Sequence, residues 1–325
     1  MKIICDKTLL SAAIDGVSRA VTLRSTVPVL EGILLKAEGF TLTLTGYDLE
    51  LGIVTTIEAN VLEPGEIVLN AKLLSDMVRR MPAGQINISV ADNGKTTIQG
   101  GVAQFEIQSM PATDFPQLPN TGAEETLTIK TGTFREMVER TLYAVSQDEK
   151  RPAHTGELFE IGTESLTVVA LDGFRLAIVE RKVPANKEIR IIVPGKTMNE
   201  VLRLLANDDE AEVRICANRR YVVFITAGYT IMSRLIEGEF LNYKNVIPEG
   251  CRTQAVLDTK GFIETIERAS LIITERLKNP LRITFTEGKV IVRCQTSLGR
   301  VVDEFAAACE GEEVEIGFNN RYLLD

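Results

Sequence analysis

The stretch TLTIKTGTFREMVERTLYAV, residues 126–145, joins a short alternating run to an amphipathic helix. From Phe134 onward its apolar residues recur at intervals of three and four, which is the period of a helix with one buried face. The same order of strand and helix recurs in KIICDKTLLSAAIDGVSRAV, residues 2–21, and in TQAVLDTKGFIETIERASLII, residues 253–273. Three openings of one kind in a single chain indicate an internal repeat.

The remainder of each copy repeats as well. Each opening is followed by alternating residues that predict two strands, at 32–54, 156–179 and 281–305. A second strand and helix then follow in the first two copies, at 65–81 and 188–205, with two more strands after them. Both copies also close alike, with QSMPATDFPQLP at 108–119 and RLIEGEFLNYKNVIP at 234–248.

These copies predict three domains, 1–121, 126–248 and 252–325, with linkers at 120–125 and 248–252. Corresponding points, for which we take Leu9, Phe134 and Phe262, lie about 125 residues apart. The third copy reaches only EEVEIGFNNRYLLD, residues 312–325, so we expect it to be incomplete at its C-terminus. Tight turns between alternating strands favour antiparallel sheets, and the predicted fold class is α+β, with repeated copies of two helices packed on antiparallel sheet.

The composition narrows the class of protein. The chain has 325 residues, of which 45% are hydrophobic and 25% charged, with a net charge of −9, an ordinary globular balance for two or three domains. No apolar run is long enough to cross a membrane, and the N-terminus does not read as a signal peptide. The five cysteines are scattered without a C-x-x-C pair, which favours reduced thiols in a cytoplasmic protein and predicts no metal site.

Several motifs, in order along the chain, resemble the bacterial DNA polymerase III beta subunit, the family of sliding clamps. The motifs that carry this resemblance are RSTVPVLEGILL, LTGYDLELGI, MPATDFPQLP, ALDGFRLAIV, IEGEFLNYKNVIP and EIGFNNRYLLD. The resemblance covers the whole chain. It implies a DNA-clamp fold, a head-to-tail homodimeric ring around double-stranded DNA, helices that line the hole and no cofactor.

The charge of the helices that we expect to line the hole agrees with binding to DNA. Helices at 7–21, 71–81, 133–146, 196–206 and 259–273 carry +1, +2, 0, +1 and 0. They add up to +4, so the rest of a chain of −9 carries −13. The positively charged residues that we expect to contact DNA are Arg19, Lys72, Arg79, Arg80, Arg135, Arg140, Lys196 and Arg203.

Two further points bear on this expectation. The resemblance adds Arg24, in the loop after the first helix, as a DNA-contacting position, and it places the loop 146–151 near DNA. Phosphate contacts carry no sequence information, so such a surface predicts non-specific binding. The alternative is that these cations serve only the solubility of exposed helices.

The resemblance also implies a groove between the second and third copies that binds short peptides. Its ligands would be the replicative DNA polymerase, clamp loader subunits and other proteins with a clamp-binding motif. The positions carried over are His154, Leu171, Gly173, Phe174, Arg175, Leu176, Leu241, Asn245 and Val246. Read without the resemblance, LDGFRL is a tight turn between strands, with Phe174 and Leu176 in the core.

For ring closure, the resemblance implies pairing of an edge strand of the first copy with the third copy of another subunit. The residues implicated are Val102, Phe105 and Ile107 on that strand, and Leu271 and Ile272 after the third copy's first helix. Burial of the run SLIIT, residues 270–274, within its own copy is the alternative.

Two other classes of protein compete with a clamp. An enzyme is disfavoured because the single histidine has no partner motif and no phosphate-binding or zinc-protease motif occurs, so we predict no catalytic residue. YDLE, residues 47–50, could suggest metal ligands, but alternating strand residues that face solvent explain it better. A monomeric scaffold that binds peptides without encircling DNA is the second competitor.

Overall fold

The computed structural model describes residues 1–22, 24–122, 124–274 and 279–325. The chain forms two compact units, an N-terminal unit, Met1–Phe240, and a C-terminal unit, Leu241–Asp325. The N-terminal unit contains the first predicted copy and the second as far as Phe240, and the C-terminal unit contains the end of the second copy and the third. Ala123, in the predicted linker 120–125, lies outside the described residues.

In the N-terminal unit, strands and helices alternate in two similar series. The first series contains β1 Lys2–Asp6, α1 Lys7–Val17, β2 Gly32–Glu38, β3 Thr41–Tyr47, β4 Leu51–Glu58, β5 Asn60–Glu63, β6 Gly65–Asn70, α2 Ala71–Arg80, β7 Gln85–Val90, β8 Lys95–Gly100, β9 Ala103–Gln108 and β10 Met110–Pro111. The second contains β11 Glu124–Lys130, α3 Thr131–Leu142, β12 Gly156–Ile161, β13 Ser165–Leu171, β14 Leu176–Lys182, β15 Ile189–Pro194, α4 Gly195–Leu204, β16 Glu212–Ala217, β17 Tyr221–Thr226 and β18 Tyr229–Arg234.

The C-terminal unit has the same opening. Its elements are β19 Thr253–Val256, α5 Thr259–Ser270, β20 Leu281–Thr286, β21 Lys289–Thr296, β22 Gly299–Ala306, β23 Ala308–Gly311, β24 Val314–Phe318 and α6 Asn320–Leu324. Strands β22, β21, β20 and β24 form one sheet in that order. A separate core lies under it, with Ile266, Ile283 and Val292 fully buried.

The segments 32–54, 156–179 and 281–305 were each predicted to form two strands. Each forms three, because a turn divides the second predicted strand. In the first copy, Asp48 Oδ1 accepts hydrogen bonds from the backbone amides of Glu50 (3.0 Å) and Leu51 (2.7 Å). In the second, Asp172 Oδ1 does the same for Phe174 (2.9 Å) and Arg175 (3.0 Å). An aspartate that satisfies amides two and three residues ahead stabilises a turn, which the alternation of the flanking residues conceals.

The interpretation of YDLE as solvent-facing strand residues is therefore wrong. Tyr47 is buried at the end of β3, and Asp48 begins the turn that leads to β4. The carboxylate of Asp48 is almost fully covered and forms an ion pair with Lys196 of α4 (2.9 Å). Its oxygens are thus occupied by backbone amides and an ammonium group.

All strand pairings among the described residues are antiparallel, as predicted. The largest sheet has nine strands, in the order β10, β6, β2, β3, β4, β18, β17, β16, β11. It joins the two copies through β4 and β18, where Ile53 lies opposite Ile231. Both side chains are fully buried, so the two copies share one hydrophobic core.

The predicted helices are confirmed, but their ends differ by a few residues. Helix α3 ends at Leu142 rather than at Ser146, and α5 ends at Ser270 rather than at Ile273. The residue that corresponds to Phe134 in the first copy is Leu10, not Leu9, because each lies four positions after the residue that precedes its helix. Leu10 is fully buried, whereas Leu9 is 46% exposed.

Among the described residues no helix is long and apolar enough to cross a membrane, and no group of three or more His, Cys, Asp or Glu side chains could hold a metal ion. All five cysteines are free. Burial, followed by the nearby Asp6 carboxylate, raises the pKa of the Cys5 thiol to about 12, so this buried thiol stays protonated.

Candidate functional site: a row of helices with basic residues and an exposed turn

The helices of the N-terminal unit form two packed pairs that an ion pair links into a row. Helices α1 and α2 pack against each other, and so do α3 and α4. Arg19 lies in the 3-10 turn that follows α1, and it forms an ion pair with Glu200 of α4 (3.0 Å). The order along the row is therefore α2, α1, α4, α3, and the Arg19–Glu200 ion pair links the first copy to the second.

The predicted DNA-contacting residues all lie on this row or in the loop beside α1. Six of them already form an ion pair within the unit. These pairs are Arg19–Glu200 (3.0 Å), Arg79–Asp15 (3.3 Å), Arg135–Asp209 (3.1 Å), Arg140–Glu136 (3.0 Å), Lys196–Asp48 (2.9 Å) and Arg203–Glu200 (3.2 Å).

The remaining three candidates, Arg24, Lys72 and Arg80, are exposed and have no carboxylate partner among the described residues. Lys72 and Arg80 stand at the two ends of α2. They are available to a phosphate without displacing a carboxylate of the protein. The sequence reveals the positive charges, but it does not show which of them are already paired.

The pairs differ in how firmly they hold each cation. The Arg135 side chain is only 27% exposed, and it also donates a hydrogen bond to the carbonyl oxygen of Ala206 (2.6 Å). Arg140 is 63% exposed and is held by Glu136, which also pairs with Arg181. An exposed pair of this kind is worth little and can exchange partners. Arg135 is therefore the least mobile of the candidates in α3.

The motif LDGFRL forms the turn between β13 and β14. Gly173 has a φ of +92°, a left-handed conformation that favours glycine. Asp172 accepts a hydrogen bond from Arg175 Nε through its second carboxylate oxygen (3.1 Å). The guanidinium of Arg175 also donates to the carbonyl oxygen of Tyr143 and lies 5.1 Å from the centre of the Tyr143 ring. Arg175 is thus held in one orientation at the surface.

The alternative that places Phe174 in the core is wrong, because its side chain is 83% exposed at the tip of this turn. The turn itself is confirmed. It exposes Phe174 because the backbone at Gly173 reverses direction and carries the next side chain outward. Leu176 is half-buried at the start of β14, whereas Leu171 is buried and forms the base of the turn.

Tyr143 is a residue of this surface that sequence reasoning missed. Its ring is 40% exposed and packs beside Arg175. We predicted that α3 would continue past this position, so Tyr143 appeared to be part of the helix. The apolar period of α3 ends at Leu142, and that was the available signal that Tyr143 has another role.

His154 ends the 3-10 turn Pro152–His154, which precedes β12. Its ring meets that of Phe240 edge to face, with 5.8 Å between the ring centres. Burial, followed by the charge of Arg151, lowers the pKa of His154, so the ring is neutral at physiological pH. His154 therefore adds an aromatic surface rather than a charge.

The other predicted peptide-binding residues belong to the C-terminal unit. Leu241 and Val246 are 45% and 51% exposed, and Asn245 is exposed as well. Val246 ends the 3-10 turn Tyr243–Val246. Their role stays a prediction.

The predicted ring-closure residues lie on β9 and just after α5. Strand β9 is the edge of the sheet β5, β1, β7, β8, β9, so one side of its backbone has no strand beside it among the described residues. Val102 is fully exposed in the turn before β9. Phe105 is 38% exposed, and Ile107 packs in part against the core of its unit.

In the C-terminal unit, Leu271 follows the last residue of α5 and is 82% exposed. Ile272 and Ile273 pack in part against the core of that unit. The run SLIIT therefore divides between the two interpretations: Leu271 points outward, and the two isoleucines contribute to their own core.

Three sequence profiles of one family match the chain in order. They describe the N-terminal, central and C-terminal domains of the DNA polymerase III beta subunit, and they match residues 1–119, 128–242 and 244–325. The beta sliding clamp of Halalkalibacterium halodurans is 32% identical over 342 residues, with 100% of this chain and 89% of the relative covered.

Solved structures agree with the profiles. The DNA polymerase sliding clamp of Bacillus subtilis superposes with a TM-score of 0.96 at 29% identity, covering 100% of this chain and 88% of that one. The sliding clamp of Bartonella birtlesii, solved with griselimycin bound, superposes with a TM-score of 0.94 at 29% identity, covering 100% and 89%.

Proposed function

This chain belongs to the DNA polymerase III beta subunit family of sliding clamps, and we infer from its geometry how it holds DNA and its binding proteins. A clamp is a processivity factor and not an enzyme: it encircles double-stranded DNA as a homodimeric ring and keeps a polymerase on its template. The observation that carries the mechanism is the row of helices α2, α1, α4 and α3, on which or beside which the basic candidates lie.

The row suits DNA of any sequence. Arginine and lysine side chains on helices reach phosphates, whose arrangement is the same at every step along the duplex. Because each contact is equivalent after a small displacement, the clamp can move along DNA without breaking a specific bond. Retention then comes from the closed ring and not from affinity.

The ion pairs in the row keep this attraction weak. When a phosphate approaches Arg79 or Arg140, it must compete with Asp15 or Glu136, which already hold these guanidinium groups. Arg24, Lys72 and Arg80 lack such competitors in the described part of the chain, and we assign them the larger share of the phosphate contacts. A surface with a few free cations among paired ones favours sliding over tight binding.

The proposed binding surface for the replicative polymerase, clamp loader subunits and other proteins includes the turn between β13 and β14. Phe174 offers an exposed aromatic ring, and Arg175 is held so that its guanidinium stays beside Tyr143. A short peptide with apolar side chains fits such a surface, since aromatic and aliphatic groups bind it and one arginine orients its polar backbone. The clamp of Bartonella birtlesii was solved with griselimycin bound, so a relative with this fold binds a ligand.

The proposed domain boundaries are those of the repeat, 1–121, 126–248 and 252–325. The proposed ring joint is head to tail, with β9 of one subunit against the C-terminal unit of another. Bacterial chromosomes are copied in the cytoplasm, and we place the protein there.

The experiment compares retention of the protein on circular and linear DNA at moderate salt. A closed ring leaves linear DNA from its free ends but stays on a circle, so we expect the circular DNA to retain much more protein once it has been loaded. Equal retention on both would overturn the clamp mechanism and favour a monomeric scaffold. Cutting the loaded circle once is the matched control, because it opens the path without changing the DNA sequence.

A further inference from the structure

The turn between β3 and β4 is the first copy's counterpart of the exposed turn between β13 and β14. The strands close alike, since Tyr47 pairs with Gly52 and Leu171 pairs with Leu176, and each pair encloses four residues. In both turns the first enclosed residue is an aspartate, whose amide donates to the carbonyl oxygen of the fourth, at 3.1 Å in the first copy and 3.3 Å in the second. Gly52 therefore corresponds to Leu176, a residue of the predicted peptide-binding surface.

The backbone of the two turns has the same shape although the residues differ. Leu49, in the place of Gly173, has a φ of +78°, and the glycine has a φ of +92°. A leucine is rare in this left-handed region, and its exposed side chain gains no burial that offsets the strain. Two turns of one shape in two copies of a repeat indicate that the surfaces beside them correspond.

An apolar cluster lies beside the first turn and crosses the joint between β4 and β18. Its buried residues include Tyr47 of the first copy and Met232 of the second, and Tyr221 packs against it. Met232 lies directly opposite Gly52 in the paired strands. Because Gly52 has no side chain, the two strands alone leave a depression in the cluster at this point.

Residues 115–118, which we call the closing segment, fill this depression. Leu118 packs so closely on Gly52 that a Cβ there would overlap a methyl group of the leucine. Phe115 is buried in the same cluster. Where the second copy has the side chain of Leu176, the first copy has a side chain from its own closing segment.

The closing segment is held by its side chains, because it belongs to no helix or strand. The backbone of Phe115 is extended, with a φ of −77° and a ψ of 126°, as is usual before a proline. An extended chain with prolines has about three residues per turn, so Phe115 and Leu118 lie on one side of it, while Gln117 is exposed. Apolar grooves bind proline-rich peptides through side chains arranged in this way.

We propose that the surface beside the turn β3–β4 is a second peptide-binding site, which the closing segment occupies as an internal ligand and thereby closes to other peptides. Its ligand class is a short extended peptide with two apolar side chains three positions apart and a proline between them. This inference goes beyond the proposed function. The site lies on a different surface from Phe174, and it stands whether or not the turn β13–β14 binds a partner.

The closing segment has an advantage over any free peptide because it is covalently attached beside the site. A short tether gives an effective concentration on the order of millimolar. A free peptide that makes the same contacts must exceed this concentration before it displaces the segment. One of the two corresponding turns is therefore closed, and the other, which carries Phe174, is exposed.

The two turns also differ in charge, which restricts the ligand further. Glu50 takes the place of Phe174 in the first turn. Leu51, which is buried, takes the place of Arg175. An acidic group at the edge of the site repels acidic peptides, whereas an arginine attracts them. A peptide for the first site is therefore uncharged around its two apolar side chains.

The first test empties the site and supplies the closing segment as a separate peptide. Phe115→Ser with Leu118→Ser removes both apolar side chains, and the probe is a fluorescent peptide of the chain's own residues 115–121, FPQLPNT. The variant and its parent both carry Phe174→Ala, so the turn β13–β14 contributes equally to both. We expect fluorescence anisotropy to show a dissociation constant about 10-fold lower, or more, for the variant, because the tethered competitor is gone.

Two controls accompany this measurement. Gln117→Ser changes an exposed residue of the same segment and should bind the probe as the parent does. A probe with serine at both apolar positions should bind neither chain. Circular dichroism checks that the variant is folded; if it is not, Leu118→Ala alone replaces it and should still bind the probe more tightly than the parent. Equal binding to parent and folded variant overturns the proposal.

The second test exchanges the side chains that fill the depression. Gly52→Leu gives the first copy the residue of the second, and the new side chain must displace Leu118. The melting temperature of this variant should fall, and adding Leu118→Ala should recover part of the loss, since the two side chains compete for one place. Gly52→Leu with Gln117→Ser is the matched control and should show no recovery. A Gly52→Leu, Leu118→Ala double variant that melts no higher than Gly52→Leu alone would overturn the proposal.

Discussion

The joint between β18 and β4 and the edge strands β9 and β22 differ in what they expose. Within the chain, Ile231 and Ile53 are fully buried, and Arg19 and Glu200 form an ion pair across the joint. At the edges, Phe105 is part-exposed, and Glu106 and Arg300 lie at the surface. A joint that forms as the chain folds can have a fully buried apolar centre, because its halves are never apart. An edge that must remain soluble before association needs charges to prevent indiscriminate pairing.

The largest effect should come from emptying the joint within the chain. Ile231→Ala removes a fully buried side chain, and we expect the free energy of unfolding of the N-terminal unit to fall by about 2–5 kcal/mol. The matched change at the edge, Phe105→Ala, should lower it by about 1 kcal/mol or less, since part of that ring is already in water. Denaturant unfolding of both variants checks this. Equal losses would mean that Phe105 is packed as fully as Ile231.

The next effect concerns association and leaves folding almost unchanged. Leu271→Ala with Ile272→Ala should yield monomers, because burying Leu271 in the ring accounts for about 1.5–3 kcal/mol per joint and a ring has two joints. Sedimentation at a concentration where the wild type is dimeric measures this. Leu271→Ala alone controls for the part of Ile272 that belongs to its own core. A double variant that stays dimeric would remove Leu271 and Ile272 from the interface.

A pH titration separates the stability of the N-terminal unit from association at its edges. Glu157 of β12 is fully buried, and its Oε2 has no hydrogen-bond partner among the residues that the structure describes. Burial raises its pKa from 4.5 to about 8, although a hydrogen bond with Thr141 opposes the shift. The folded state therefore holds the proton more tightly than the unfolded state, and stability falls as pH rises from about 4.5 to about 8.

Glu157→Gln should abolish this slope and stabilise the unit by about 1–3 kcal/mol at pH 7.5, because the amide is neutral at every pH. Thermal or denaturant unfolding across this range is the measurement. Glu164→Gln, an exposed carboxylate in the same copy, is the control and should retain the slope. If Glu157→Gln also retains the slope, another group causes it.

The smallest effect is on the salt dependence of DNA binding. Lys72→Ala with Arg80→Ala should reduce the slope of log K against log salt by up to about 2, since each lost phosphate contact removes about 0.9. Arg135→Ala is the matched control, because its guanidinium is held by Asp209 and the Ala206 carbonyl, and it should change the slope by less than half as much. A larger change from Arg135 would show that paired cations exchange their carboxylates for phosphates readily.

Much of the fold could be predicted from local periodicity. Phe134, Met137 and Val138 are fully buried on one face of α3, as their spacing predicts. The errors occur where a single polar side chain changes the backbone path. Asp48 and Asp172 each accept two amides and divide a predicted strand into two, and the second of these turns places Phe174 in solvent.

The candidate site was less accessible to sequence reasoning. Charge counts identified the cations of the helices, but Glu200, which neutralises Arg19, lies 181 positions away in the chain. Nothing local to Arg19 indicates this pair. Tyr143 escaped for a similar reason, because its contact with Arg175 depends on where α3 ends relative to the turn between β13 and β14.

The sequence by itself determined the repeat, the α+β class and the buried face of each helix, because these follow from the spacing of apolar residues along a regular backbone. Only the tertiary structure decided which strand edges are covered, which cations are paired and which aromatic ring reaches solvent. These properties depend on groups that are distant in sequence, and folding alone brings them within a few ångströms of each other.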